Sequence, residues 1–129
     1  ENVILELGRD FLFVEKYKVQ AGSSDFYIDI LFYHRALQCL VPFELKADKF
    51  KPEHLGPINF YLEALDRDVK KANENSSIGI LFCKDKDSEV VDHALSRSLS
   101  PTMVAEYKMH LSYKKLFQQK IHDSFDSNL

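Results

Sequence analysis

The sequence is poor in the residues on which several common kinds of site depend. Only four glycines occur in 129 residues, which disfavours the glycine-rich loop that cradles phosphates in nucleotide-binding enzymes. Its two cysteines, Cys39 and Cys83, lie in apolar segments without zinc-ligand spacing, so they predict buried thiols in a reducing compartment. No signal peptide is present, and no apolar run approaches the roughly 20 residues that span a bilayer. We therefore expect a cytoplasmic protein without a membrane segment.

Length and charge limit the number of domains and the range of partners. A chain of 129 residues with 45% hydrophobic content predicts one domain with one core. The net charge of −3 argues against a surface that grips phosphate everywhere. The chain starts at Glu1, and the apolar residues from Val3 to Leu7 resemble an element already under way. We therefore expect residues 1–129 to be a single domain and the C-terminal fragment of a longer protein.

Two segments rich in aromatic and branched apolar residues dominate the pattern. They run from Phe26 to His34 and from Val41 to Lys46, and the short break of four residues from Arg35 to Gln38 predicts an antiparallel β-hairpin. A turn centred on those four residues places Asp29 directly opposite Glu44. Because side chains alternate along a strand, Lys46 shares the face of Glu44. The hairpin thus predicts a cluster of two acids and one amine.

This cluster has two interpretations. Charged residues on one face of a hairpin are often its solvated side. Asp29 lies between Ile28 and Ile30, however, and such surroundings are typical of a central strand. Two like charges opposite each other repel there by a few tenths to about 1 kcal/mol. A divalent cation such as Mg²⁺ or Mn²⁺, with Lys46 alongside, would compensate.

These residues resemble the signature of the PD-(D/E)XK nuclease superfamily, which has an acid on one strand and an acid-X-lysine on the next. The chain is more closely similar to one bacterial family, formerly of unknown function, whose C-terminal half is a PD-(D/E)XK domain. The segments that carry this resemblance, in order, are Leu5-Glu6-Leu7-Gly8, Asp25 to His34, Glu44-Leu45-Lys46, Phe50-Lys51-Pro52-Glu53, Asn59-Phe60-Tyr61-Leu62 and Ile78 to Lys84. The resemblance covers nearly the whole chain.

The resemblance implies a fold, an activity and a set of site residues. The fold would be an α/β restriction-endonuclease-like domain with a central mixed sheet flanked by helices. The activity would be metal-dependent endonucleolytic hydrolysis of phosphodiester bonds in nucleic acid, chiefly DNA. Asp29, Glu44 and the carbonyl of Leu45 would hold Mg²⁺ or Mn²⁺, and Lys46 would be catalytic. One position departs from the family, because Pro57 stands where a glutamine usually faces the site.

Glu6 is a further candidate ligand at the start of the chain. The apolar density from Asn2 to Leu7 predicts the end of a helix, and Gly8 suits the left-handed residue that closes one. In the resembled family an equivalent helical glutamate reaches the metal site, which makes Glu6 a candidate catalytic and metal-binding carboxylate. The alternative is a solvated residue at the helix end.

Four lysines are candidate phosphate contacts near the mouth of the site, and the alternative is that they only solvate a loop and a helix end. They are Lys49, Lys51, Lys70 and Lys71. Because the net charge is negative, we expect this domain alone to bind DNA weakly and with strong salt dependence. A missing N-terminal domain of the same protein would add affinity, and a homodimer is a further possible partner state.

The remaining pattern predicts the order of the other elements. We expect a strand over Phe11 to Val19, a turn with positive φ at Gly22, and a helix with an apolar stripe from Leu55 to Val69 that continues to about Ala72. Pro57 would lie in the first turn of that helix. Four further elements complete the prediction: a buried strand over Ser77 to Cys83, parallel to its neighbour, a short helix capped by Ser88, an edge strand over Met103 to Met109, and a helix over Tyr113 to Phe125.

A second class of function remains open from the sequence. A nuclease-like fold that has lost catalysis could still position nucleic acid or a protein partner. Pro57 and the net negative charge favour that alternative. The joint presence of Asp29, Glu44 and Lys46 favours the enzyme.

Overall fold

The computed structural model describes residues 4–6, 11–98 and 101–107, and it describes side chains for 14–98 and 101–107. These residues form a six-stranded sheet in the order β1 to β6. The strands are β1 (Ile4–Glu6), β2 (Phe11–Ala21), β3 (Ser24–His34), β4 (Cys39–Lys49), β5 (Gly79–Asp85) and β6 (Thr102–Glu106). The helices are α1 (Leu55–Ala64), flanked by a 3₁₀ turn at Pro52–His54 and a π turn at Leu65–Val69, and α2 (Ser88–Leu95).

Connection length determines the direction of each strand. Short turns join β2 to β3 and β3 to β4, and these pairs are antiparallel, as is β1 with β2. The crossovers through α1 and α2 return the chain in the same direction, so β4, β5 and β6 are parallel. The predicted mixed sheet, with its three antiparallel strands followed by a parallel crossover, is confirmed.

The predicted register of the central hairpin is also confirmed. The ladder runs from His34 opposite Cys39 to Ile30 opposite Phe43. Pro42 lies opposite Leu31 and does not shift the register. The turn between the strands includes Gln38 at φ 51°, and the preceding turn has Gly22 at φ 62°, as its sequence predicts.

The stripe of the main helix packs on one face of the sheet. Its members Leu55, Ile58, Leu62 and Leu65 are buried. Leu65 lies in one cluster with Ile28 of β3, whereas Ile58 packs in another with residues of β5 and α2. The opposite face of the sheet carries a separate cluster, made by Ile30, Phe32, Cys39, Val41, Phe43, Ile80 and Phe82.

Several local predictions need correction. The N-terminal segment forms strand β1 rather than a helix end, because Ile4 to Glu6 pair with the edge of β2. The main helix ends in the π turn at Val69, before Ala72. The side chain of Asp87, not Ser88, accepts hydrogen bonds from the first turn of α2.

Two further points concern the ends of the description. Strand β6 confirms the predicted edge strand at Thr102–Glu106. The helix expected over residues 113–125 lies outside the described residues. Within the described part of the chain, no helix is long and apolar enough to cross a membrane.

Candidate active site

The candidate site lies where β3 and β4 separate. Their ladder ends at Ile30 opposite Phe43. Beyond this pair β3 continues along β2, and β4 continues along β5. The sheet therefore opens into a gap between Ser24–Asp29 of β3 and Glu44–Lys49 of β4, which we call the fork.

The two predicted acids close the apex of the fork. The backbone N–H of Asp29 donates to Oε2 of Glu44 at 3.1 Å, and the backbone N–H of Leu45 donates to Oδ2 of Asp29 at 3.1 Å. Separation of the strands removes the carbonyls that would otherwise accept from these amides, and buried amides need a partner. The carboxylates thus replace the missing ladder bonds, and the structure brings together Asp29, Glu44 and the backbone of Leu45.

A tyrosine of α1 satisfies the next backbone group of the fork. The hydroxyl of Tyr61 donates to the carbonyl of Tyr27 at 3.2 Å. Tyr61 is buried and belongs to the cluster that holds α1 against β3. Sequence reasoning placed Tyr61 in a motif but gave it no role in the site. Its spacing of three residues from Ile58 put it on the buried side of the helix, where a hydroxyl needs a partner.

The electrostatics of the apex disfavour two ionised carboxylates. Burial, followed by the hydrogen bond and the negative charge of Asp29, raises the pKa of Glu44 to about 8, while Lys46 acts in the opposite direction. Burial and then the charges of Glu44 and Asp29 raise the pKa of Tyr61. Without a cation, ionisation of Glu44 beside Asp29 is therefore unfavourable.

Lys46 is held beside the acids by its strand. It follows Glu44 by two residues on β4, lies opposite Cys83 of β5, and is partly buried. Its carbonyl accepts a hydrogen bond from the hydroxyl of Tyr107 at 3.2 Å. The lysine side chain thus starts from a fixed backbone position on the β4 side of the fork.

Comparison with known proteins identifies the family of the chain. The family model described as the YhcG PDDEXK nuclease domain matches residues 1–122. The chain belongs to the YhcG PDDEXK nuclease domain family. It is 34% identical over 115 residues to the Escherichia coli (strain K12) protein named "Putative nuclease YhcG", an alignment that covers 88% of this chain and 31% of that protein. The chain thus spans about a third of the length of this curated relative, and its α/β fold is the PD-(D/E)XK nuclease fold.

Pro57, where the resemblance implied a glutamine, lies on the same side of α1 as Tyr61. Pro57 precedes Tyr61 by one helical turn and is exposed. It occupies the first turn of α1, as predicted, where a missing N–H costs nothing within the helix. The proline therefore preserves the helix and removes a polar side chain from this surface.

Glu6 lies on a strand and not on the predicted helix. It belongs to β1 and pairs with Leu12, which in turn pairs with Tyr33 of β3. Its backbone is therefore two strands from β3, roughly 10 Å across the sheet, and about 13 Å along it from the level of Asp29. The predicted helical approach of Glu6 to the metal site is wrong in this structure.

The four predicted phosphate-binding lysines separate into two pairs. Lys49 lies at the end of β4, on the fork, and Lys51 follows it, with its Nζ 3.4 Å from Oδ2 of Asp48. Lys70 and Lys71 are remote, because both bind Glu74 beside the turn of the β3–β4 hairpin. That turn is about 20 Å along β3 from Asp29. The expectation that Lys70 and Lys71 line the mouth of the site is therefore wrong.

The structure adds two residues of β2 that sequence reasoning missed. Glu15 and Lys16, with Asp29 and Ile30, line a cavity of about 140 Å³. Lys16 has φ 51°, a left-handed conformation that costs a non-glycine residue roughly 1–2 kcal/mol. The sequence holds one signal for this irregularity: Glu15 and Lys16 are consecutive polar residues that interrupt the alternation along β2.

Proposed function

We propose that this domain is a Mg²⁺- or Mn²⁺-dependent endonuclease that hydrolyses phosphodiester bonds of DNA. One observation carries the proposal: at the apex of the fork the carboxylate of Glu44 accepts from the amide of Asp29, the carboxylate of Asp29 accepts from the amide of Leu45, and Lys46 follows on β4. A buried acid with a raised pKa, such as Glu44, beside a second carboxylate in a cleft is typical of a functional site. Family membership supports a nuclease reaction and, therefore, a nucleic-acid substrate.

The donor set fits a hard divalent cation. Within the described side chains no group of three His, Cys, Asp or Glu residues could hold a metal. Mg²⁺, however, commonly takes only one or two carboxylates and completes its shell with water and substrate phosphate. Asp29 and Glu44 would supply the carboxylates, with the carbonyl of Leu45 beside them. When bound, the cation would polarise the phosphodiester and lower the pKa of a water molecule.

The remaining chemistry comes from side chains of the chain itself. Lys46 would orient the attacking water or offset the negative charge that develops on the phosphate. The amide of Leu45 would hold the two arms of the fork together, because its hydrogen bond joins β4 to β3, and Tyr61 would fix the β3 arm to α1. Such positioning matters, since a displacement of about 1 Å can cost a factor of about 100 in rate.

A second candidate function is a nuclease-like binding module without catalysis. Pro57 in the position of the family glutamine favours it, as does the net charge of −3. Such a module would bind nucleic acid or a protein through the same surface. It would have no need of a proton-holding acid pair next to Lys46, so we favour the enzyme.

The test uses supercoiled plasmid DNA and matched RNA. We expect the chain to nick plasmid in Mg²⁺ or Mn²⁺ and not in EDTA, and to leave RNA intact. We also expect a higher melting temperature in Mg²⁺, because binding to the folded state stabilises it by mass action. A chain that neither nicks DNA nor responds to the metal would support the binding module, and cleavage of RNA alone would overturn the DNA assignment.

The partner states belong to the same proposal. A homodimer and an N-terminal domain would each enlarge the contact with DNA, and the chain spans only 31% of its curated relative. We also propose a cytoplasmic location, supported by the two cysteines, Cys39 and Cys83, which are buried and carry free thiols.

A further inference from the structure

The arm of the fork made by β2 and β3 carries a lysine in an unusual backbone conformation. Lys16 lies in the register position opposite Asp29, between the pairs Glu15–Ile30 and Tyr17–Ile28. Its left-handed φ of 51° interrupts the strand at the level of the candidate site, and its side chain lines the cavity beside Asp29. Strained residues of this kind cluster at functional sites. The position of Lys16 therefore indicates a functional surface on the β2–β3 side of the fork.

The same arm presents an exposed aromatic ring. Tyr27 is 56% exposed, the most of any large hydrophobic residue among the described side chains. It precedes Asp29 by two residues, about 7 Å along the strand. Its cross-strand partner is Lys18, which is also exposed, and paired residues share a face. Because the hydroxyl of Tyr61 donates to the carbonyl of Tyr27, the backbone that carries the exposed ring of Tyr27 is held in place.

We propose that Lys16, Lys18 and Tyr27 form a binding surface for an unpaired nucleotide strand, so that the substrate class is nucleic acid with unpaired bases beside the cut. The inference rests on the proposed function, because it places this strand next to Asp29. Lysines neutralise phosphates, and an aromatic ring stacks on a base whatever its sequence. A regular duplex buries the faces of its bases, so only an unpaired base can stack on Tyr27.

Two other exposed aromatic rings lie near this arm but on its opposite face. Phe26 and Phe60 are 37% and 38% exposed, and their ring centroids lie 4.8 Å apart. Alternation along β3 places Phe26 on the face opposite to Tyr27. Of the four exposed large hydrophobic residues among the described side chains, Phe26 and Tyr27 lie on this arm, Phe60 lies on α1 against Phe26, and Val90 lies on α2. Tyr27 is therefore the ring that shares a face with Lys18, and it is the ring to which we assign base stacking.

The experiment compares fluorescent oligonucleotides of one sequence, single-stranded and duplex, by anisotropy with the 129-residue chain in EDTA and low salt. We expect the parent to bind the single strand more tightly than the duplex. Tyr27→Ala should weaken single-strand binding roughly 5- to 150-fold, whereas Tyr27→Phe should retain it within about twofold. Lys16→Ala should weaken binding and flatten its salt dependence. Val90→Ala is the control for loss of an exposed apolar side chain and should change nothing.

The outcomes separate this inference from the proposed function. Tighter binding to duplex, or equal binding by Tyr27→Ala and the parent, would overturn the inference even if plasmid is nicked. Selective loss of single-strand affinity in Tyr27→Ala would support it even if the parent does not cleave. A change of oligomeric state in Tyr27→Ala with unchanged oligonucleotide affinity, measured by sedimentation, would show a protein interface and overturn the inference.

Discussion

The two ends of the β3–β4 hairpin satisfy their backbone groups in different ways. At the turn, His34 is fully buried, and its Nδ1 accepts from the amide of Leu37 at 3.0 Å. Asn75 donates to the carbonyls of Leu37 and Gln38, each at 2.8 Å. An imidazole and an asparagine thus satisfy these backbone groups of the turn.

At the fork, acids perform the same task. Asp29 and Glu44 accept the amides that strand separation leaves without carbonyl partners. These bonds hold the fork together but also place two carboxyl groups side by side, so that ionisation of both is unfavourable. One hairpin thus has neutral hydrogen-bonding groups at its turn and unfavourably placed acids at its fork. A cation would relieve that charge, which is why we locate function at the fork.

The largest expected effect comes from the closed part of the hairpin. Phe43 is fully buried and packs edge-to-face on Phe82 at 5.6 Å. Phe43→Ala should lower the free energy of unfolding by about 3–5 kcal/mol, because it removes contacts and leaves a cavity. Urea denaturation measures this change. A loss below about 1 kcal/mol would mean that this cluster contributes little to the core.

Glu44, which follows Phe43, should lower the stability of the fold as the pH rises. The pKa of Glu44 is raised to about 8 in the folded protein from a usual value of 4.5. A carboxyl with a raised pKa stabilises the fold below its unfolded pKa, and this contribution is lost as pH rises through the folded value. Without metal, the free energy of unfolding should therefore fall by on the order of a few kcal/mol between about pH 5 and 8.

Glu44→Gln tests that prediction, because glutamine keeps an acceptor oxygen for the amide of Asp29 and cannot ionise. The free energy of unfolding of the variant should vary much less between about pH 5 and 8, and at pH 8 the variant should be more stable than the parent. Thermal melts at a series of pH values, with EDTA present, provide the measurement. Identical profiles for parent and variant would contradict the charge conflict at the apex.

A smaller effect is expected from the hydrogen bond by which Tyr61 of α1 fixes the β3 arm of the fork. Tyr61→Phe leaves the carbonyl of Tyr27 without its hydroxyl partner, which should cost about 1–2 kcal/mol of stability and slow plasmid nicking. Tyr27→Phe removes an exposed hydroxyl of the same arm and serves as the matched control. If the two variants have the same stability and nicking rate, Tyr61 does not position the fork.

The smallest effect distinguishes lysines at the two ends. Lys49 lies on the fork, whereas Lys71 lies by the hairpin turn. Lys49→Ala should weaken DNA binding uniformly across sequences and reduce the salt slope by about 1. Lys71→Ala should leave both affinity and slope unchanged. Equal effects of the two substitutions, in anisotropy titrations over a series of salt concentrations, would indicate diffuse attraction rather than a located contact.

Much of this architecture could be predicted from the sequence. The hairpin register followed from a four-residue connection between two apolar segments, and the parallel crossover followed from the stripe of α1. These features depend on local pattern and short loops. The proximity of Asp29 to Glu44 was a consequence of that register.

The rest could not be predicted, because it depends on contacts between distant segments. Glu6 was assigned to a helix because three residues of an edge strand carry too little pattern to identify it. Lys16 adopts a left-handed conformation that lysine itself does not favour. Lys70 and Lys71 follow the π turn and contact Glu74 near the hairpin turn, a placement that sequence periodicity did not reveal.

The central claim is that Asp29 binds the metal and Lys46 acts on the substrate, and one paired measurement tests it most directly. Metal affinity and plasmid nicking would be measured on Asp29→Ala and Lys46→Ala. Asp29→Ala should lose both Mg²⁺ stabilisation and cleavage. Lys46→Ala should bind metal as well as the parent or more tightly, while cleavage falls by about two to four orders of magnitude. Cleavage by Lys46→Ala at the parental rate, or retained metal binding by Asp29→Ala, would contradict the account.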